Sequence, residues 1–226
     1  ASTVERPRGD RLLADHGARR ELAQSLAEGV GSHVGDVGRR VPGARVVVQV
    51  DEPSLPAVLA GSVPTASGFH RHRSVAESEA VEALRWVLDA VAAAGAMPVV
   101  HCCADAVPVA LLARAGAGAL SVDASRIGRG QYDEYAALLD HGIGLWLGVV
   151  PSAEPDAGSH PGPRETDLVD RVHRLLEDLG VDPETGGAAC VVTPVCGLAG
   201  ATPAWARRAL ALSGQVARHL SGRMSP

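Results

Sequence analysis

Three residues with metal-binding side chains stand at the ends of predicted strands. His101 and Cys103 are two positions apart at the end of the apolar segment 98–102, so in an extended chain they project to the same side while Cys102 projects to the other. Cys196 closes the β-branched segment 189–195. One imidazole and two thiolates form a ligand set for Zn(II), and three protein ligands leave one position open to a substrate. The pattern therefore predicts a catalytic zinc site at His101, Cys103 and Cys196.

Carboxylates occupy two further strand ends. Asp51 and Glu52 follow the run Arg-Val-Val-Val-Gln-Val at 45–50, and Asp123 follows the short strand 119–122. Asp123 could supply a fourth metal ligand. A buried carboxylate beside a metal would bind an ammonium group, although Asp51 and Glu52 before Pro53 could instead cap a helix.

Cysteine also has a purely structural interpretation. Free cysteine is among the most buried residue types and could simply fill a parallel sheet. We assign Cys102 and Cys190 to packing, and we favour metal binding for the other two because a histidine accompanies them at the strand ends.

The elements that must position these side chains alternate regularly along the chain. A long amphipathic helix is predicted at 10–40, followed by a helix at 74–94 with Ser74 as N-cap. Further helices are predicted at 107–115, 131–141, 164–179 and from Thr202-Pro203 to about 220, with a Pro/Gly/Ser-rich loop at 152–163. Five strands lie between them, at 45–50, 98–102, 119–122, 143–150 and 189–195, the first expected to be buried.

Single helices between strands imply a parallel sheet. No Gly-rich phosphate-binding motif follows the first strand, and the polar residues gather at the carboxyl ends of the strands, where barrel enzymes keep their chemistry. We therefore predict an α/β fold of the (β/α)8 TIM-barrel type. The chain would form one domain, 1–226, with about the last five βα units preceded by a long helix.

Composition excludes several classes of protein. The chain has 226 residues, 46% hydrophobic and 21% charged, which indicates a globular core and not a disordered chain. The net charge of −5 and the scattered arginines argue against nucleic-acid binding. The sequence has neither an apolar run long enough for a bilayer nor a signal peptide, and its few cysteines fit a reducing compartment, so a cytoplasmic protein is expected.

Four ordered motifs carry a resemblance to a known family. The segments Gln-Val-Asp-Glu-Pro-Ser-Leu at 49–55, His-Cys-Cys at 101–103, Ser-Val-Asp-Ala-Ser-Arg at 121–126 and Pro-Val-Cys-Gly-Leu at 194–198 resemble the C-terminal catalytic barrel of cobalamin-independent methionine synthase. The resemblance implies a zinc-dependent 5-methyltetrahydropteroyltriglutamate–homocysteine S-methyltransferase of methionine biosynthesis. It places zinc on His101, Cys103 and Cys196, and it makes Asp51 the residue that binds the amino group of homocysteine. Glu52 is expected to assist substrate binding.

Two departures from the family pattern keep other functions open. The family usually has Glu where this chain has Asp123, so Asp123 could ligate the metal, lie beside it or leave room for water. The family also carries a histidine in an Asp-x-His-Ser segment that helps protonate the leaving folate, whereas residues 148–152 read Gly-Val-Val-Pro-Ser. The methyl donor could thus be a methylfolate or a methylcorrinoid.

A third interpretation is a metal-binding barrel fragment with no activity of its own. The first and last predicted strands would each lack a neighbour, which predicts self-association or completion by a separate N-terminal segment.

Overall fold

A computed structural model of the chain describes residues 1–6, 9–155, 162–183, 186 and 190–222. Five strands form one sheet whose order follows the chain, and the three strand pairs with an assigned register are parallel. Helices connect successive strands. This is the order of βα units in a TIM-type barrel, so the predicted α/β class with five such units is confirmed. The chain separates into two compact units, which are described in turn.

The first unit comprises Ala1–Cys102 and Val107–Gly118. Its elements are α1 (His16–Arg40), β1 (Val47–Asp51), α2 (Leu55–Leu59), α3 (Glu77–Ala93), β2 (Met97–Cys102) and α4 (Val109–Arg114). Helices α1 and α3 pack against each other. A buried cluster is centred on Val34 of α1, Val91 of α3 and Ala96, which follows α3. Val46 and Val48 pack against it.

Both long helices of this unit begin later than predicted. Helix α1 starts at His16, where the Asp15 side chain accepts a hydrogen bond from the Ala18 N–H at 2.9 Å. The predicted Ser74 cap of α3 is wrong, because the N-cap is Ala76 and it makes no side-chain hydrogen bond. Val75 is instead buried with Leu13, and its N–H donates to a carbonyl of α2. Burial of this valine outside the helix outweighs the capping preference of Ser74.

Strand β1 is less buried than its β-branched sequence predicts. Its side chains alternate between exposed and half-buried, and Val47 is 43% exposed. The strand stands at one end of the sheet order, where it pairs with β2, and α1 and α3 cover the face that carries Val48. The expectation of a buried strand was wrong because the side chains on the face of Val47, Gln49 and Asp51 are exposed.

The second unit comprises Cys103–Ala106 and Ala119–Pro226. Its elements are β3 (Ala119–Asp123), α5 (Tyr132–Asp140), β4 (Gly144–Val150), α6 (Glu165–Asp178), β5 (Val191–Pro194) and α7 (Pro203–Leu220). Helix α7 begins as predicted, because the Thr202 hydroxyl accepts from the Trp205 N–H and Pro203 occupies the first turn. Parts of the predicted loop 152–163 and of the segment preceding β5 lie outside the described residues. None of the described helices is long and apolar enough to cross a membrane.

Candidate metal centre

Two cysteine side chains meet at the end of β5. The Cys103 thiol donates a hydrogen bond to the sulfur of Cys196 at 3.7 Å, and neither cysteine forms a disulfide. Cys103 immediately follows β2 and is half-buried, while Cys196 lies two residues beyond β5 and is exposed. The two sulfurs are therefore close enough to bind one metal ion, and Cys196 is accessible to solvent.

His101 completes a group of three ligands. One ligand atom from each of His101, Cys103 and Cys196 lies within 4.8 Å of the other two. His101 is the second-last residue of β2 and is only 6% exposed. The side chains that the sequence predicted to converge are thus brought together.

The donor set and its spacing fit Zn(II). With Zn–S bonds of about 2.3 Å and tetrahedral angles, two thiolates on one ion stand roughly 3.8 Å apart. The observed 3.7 Å between the cysteine sulfurs matches this separation. Sulfur with imidazole nitrogen is also the combination that selects zinc over hard cations such as magnesium. His101, Cys103 and Cys196 can therefore hold one zinc ion and leave a fourth position open.

Asp51 lies on the same face of the sheet as His101. In the parallel pair β1–β2 the two residues are register partners, and partners on neighbouring strands point to the same side. Asp51 is exposed, and its Oδ1 accepts a hydrogen bond from the Gln49 side chain at 2.8 Å. The structure thus places a solvent-accessible carboxylate one strand away from a candidate metal ligand.

Glu52 lies on the opposite side, as the two-residue period of a strand requires. Together with Val50 it lines a cavity of about 150 Å³ beneath α1 and α3. Most of the other lining residues are apolar, and burial raises the pKa of the Glu52 carboxyl. Its backbone N–H donates a hydrogen bond to the His101 carbonyl in β2. Asp51 and Glu52 are adjacent in sequence but lie in different environments.

Asp123 is engaged by its own neighbours. Its Oδ1 accepts hydrogen bonds from the backbone N–H and the hydroxyl of Ser125 at 2.9 and 2.6 Å, and its Oδ2 faces Arg126 Nε at 3.4 Å. Among the described residues, Asp123 does not belong to the group of ligand atoms formed by His101 and the two cysteines.

The other two cysteines are withdrawn from solvent, Cys102 fully and Cys190 in part. Cys102 is fully buried, and burial raises the pKa of the Cys190 thiol to about 11. A thiol with so high a pKa is a poor metal ligand at neutral pH, because the thiolate is the form that binds. Both positions agree with a packing role.

Gly148 is a residue whose role the sequence analysis missed. It lies in β4 in register with Asp123 and Thr193, and a Cβ at this position would lie 2.7 Å from the Val195 Cα and 2.9 Å from the Val122 carbonyl oxygen. Only glycine allows this approach, and the residue after Val195 is Cys196. A glycine inside a predicted strand is the signal that could have identified this close contact.

The comparisons with known proteins agree with these motifs. The model of a family described as "Cobalamin-independent synthase, Catalytic domain" matches residues 9–219. No curated protein matches the chain. Among solved structures, the chain is similar to the crystal structure of an uncharacterized protein, with 17% sequence identity and a TM-score of 0.37. The match covers 88% of this chain and 48% of that one, so the chain spans about half the length of that relative.

Proposed function

Since the chain belongs to the family of cobalamin-independent synthase catalytic domains, we propose that it transfers a methyl group to the sulfur of a thiol, with homocysteine as substrate and methionine as product. The observation that carries the proposal is the spacing of the Cys103 and Cys196 sulfurs, 3.7 Å, with His101 in the same group. This is the ligand arrangement of a zinc site that keeps a position for a substrate.

His101, Cys103 and Cys196 would hold the ion. Zinc, when bound, supplies the positive charge that keeps a substrate thiol deprotonated at neutral pH. The two cysteine ligands contribute negative charge and soft donors, so the substrate sulfur keeps its nucleophilicity. The exposure of Cys196 leaves this end of the site open to a small amino acid.

Asp51 would bind the ammonium group of the substrate. Its carboxylate is exposed and lies on the face of the sheet that also carries His101. A charge-assisted hydrogen bond there would orient the amino acid so that its sulfur points toward the metal ligands. Glu52 lies on the other side of β1, so we assign this role to Asp51 alone.

A corrinoid methyl donor is a second candidate. The resemblance leads us to expect a histidine that protonates a leaving folate, but residues 148–152 contain none. A methylcorrinoid donor does not need this proton, because its leaving group departs without protonation. The acceptor chemistry at the zinc site would be the same with either donor.

The test is methionine formation by the zinc-loaded protein from homocysteine, with methyltetrahydrofolate or methylcobalamin as donor and detection by mass spectrometry. We expect product with one of the two donors, loss of product in Cys103→Ser and retention in Cys190→Ser. Absence of methionine with both donors, in protein that carries one zinc per chain, would contradict the proposed function.

A further inference from the structure

Arg126 connects the carboxylates of Asp105 and Asp123. One of its terminal nitrogens donates to Asp105, which follows Cys103 by two residues, and its Nε faces Asp123. Hydrogen bonding to Asp105 is the main cause that raises the pKa of the Arg126 guanidinium, so this group stays charged. Arg126 therefore links the loop after β2 to the end of β3 through two ion pairs.

These contacts engage most of the positions through which Asp123 could bind a metal. A carboxylate offers about four lone-pair positions over its two oxygens. Two are used by the Ser125 N–H and hydroxyl, and Arg126 takes a third. The Asp123 side chain is 13% exposed and also caps the short 3-10 helix Ala124–Arg126, so its orientation is fixed by its own chain segment.

From this geometry we infer that Arg126 is a positioning residue that keeps Asp123 out of the metal's ligand set. His101, Cys103 and Cys196 are then the complete set of protein ligands, and the fourth position belongs to the substrate thiol. The inference rests on the proposed function for the identity of that thiol. It assigns this chain a three-ligand centre, and of the alternatives that the sequence left open for Asp123 it selects a position outside the ligand set.

A three-ligand centre changes how a thiol enters. The substrate would fill an open position and would not displace a protein carboxylate, so no protein ligand has to leave and return during turnover. Asp123 would act through Ser125 and Arg126 by fixing the loop that follows β3.

The test is titration of the metal-free chain with Co(II), followed by visible absorption, and with Zn(II) against a competing chelator. We expect Asp123→Asn to bind zinc within roughly twofold of the wild type and to leave the Co(II) spectrum unchanged, since it removes no ligand. We expect Arg126→Gln to free the carboxylate and raise zinc affinity by about tenfold. The double variant Arg126→Gln/Asp123→Asn should return to wild-type affinity.

Each alternative result overturns the inference. A tenfold loss of zinc affinity or an altered Co(II) spectrum in Asp123→Asn would show that the carboxylate is a ligand, and unchanged affinity in Arg126→Gln would remove the restraining role. If Arg126→Gln does not fold, as judged by thermal denaturation, Arg126→Lys serves in its place because lysine cannot bridge two carboxylates with a planar fork. These readings use the metal alone, so they stand apart from the methionine assay.

Discussion

The two faces of the β1–β2 pair differ in the chemistry they can support. One face carries Asp51 beside His101, and its carboxylate is accessible to solvent. The other face carries Val50 and Glu52 against a mostly apolar cavity under α1 and α3, where burial raises the pKa of Glu52. Adjacent residues of similar type thus lie in different environments. The two-residue period of a strand decides which of the two lies on the face that carries His101.

The cysteines also differ in their surroundings, because the Cys103 and Cys196 sulfurs lie together while Cys190 is apart from that group. Substitution of Cys103 and Cys196 has the largest expected effect. The double variant Cys103→Ser/Cys196→Ser should lose at least about a thousandfold in zinc affinity, because both soft ligands disappear. Metal analysis of the purified protein measures this loss. Cys190→Ser is the matched control and should keep one zinc per chain, since burial already holds that thiol protonated. Stoichiometric zinc in the double variant would refute the ligand assignment.

The sequence predicted the grouping of these side chains better than it predicted the packing around them. Residue types and strand ends predicted that His101, Cys103 and Cys196 would come together, because extended geometry fixes which side each residue faces, and the three ligand atoms do lie close to one another. Metal binding by this group stays a prediction. The sequence analysis grouped Glu52 with Asp51, since both carboxylates follow the same strand. The sequence pattern does not show that α1 and α3 pack over one face of that strand. The role of Gly148 also depends on how closely β5 approaches β4, which a sequence pattern does not encode.

Substitution at the two carboxylates tests the contrast directly. Asp51→Asn should weaken binding of homocysteine by about 10- to 100-fold, the value of a charge-assisted hydrogen bond, and should leave zinc content unchanged. A thiol of the same length without the amino group should bind the wild type and the variant equally, as measured by competition. Glu52→Gln is the control and should keep the preference for the amino acid. Retention of that preference in Asp51→Asn would contradict its role.

Substitution of Gly148 tests whether the position of Cys196 beside Cys103 depends on close packing of β4 against the chain at Val195. Gly148→Ala should lower the free energy of unfolding by about 2 kcal/mol, because its Cβ would overlap two backbone positions that cannot both move aside. Zinc affinity should fall as well, since Val195 and therefore Cys196 must shift. Chemical denaturation and zinc titration measure the two effects. Gly130, where an added Cβ meets no atom within 4 Å, provides the control Gly130→Ala. Equal stability of the two variants would contradict the packing argument.

The smallest expected effect concerns the cavity that holds Glu52. Burial raises the pKa of this carboxyl, so the folded chain keeps a proton that the unfolded chain releases above the ordinary glutamate value of about 4.3. The stability that neutral Glu52 contributes is therefore complete below that value and is lost as the pH rises through the folded pKa. Glu52→Gln removes this loss, and it should be more stable than the wild type at pH 7 by about 1 kcal/mol.

The gain should disappear near pH 4, where Glu52 is protonated in both states, and thermal denaturation across the pH range measures it. Glu79→Gln is the matched control because Glu79 lines the same cavity but accepts a hydrogen bond from Arg19 Nε at 2.6 Å. Glutamine still accepts a hydrogen bond but removes the negative charge beside the Arg19 guanidinium, which is only 18% exposed, so the control should be destabilised at pH 7. A Glu52→Gln protein that is less stable than the wild type at neutral pH would show that the ionised carboxylate is stabilised where it lies. The environment of Glu52, just after β1, would then stabilise an ionised carboxylate, as the exposed environment of Asp51 does.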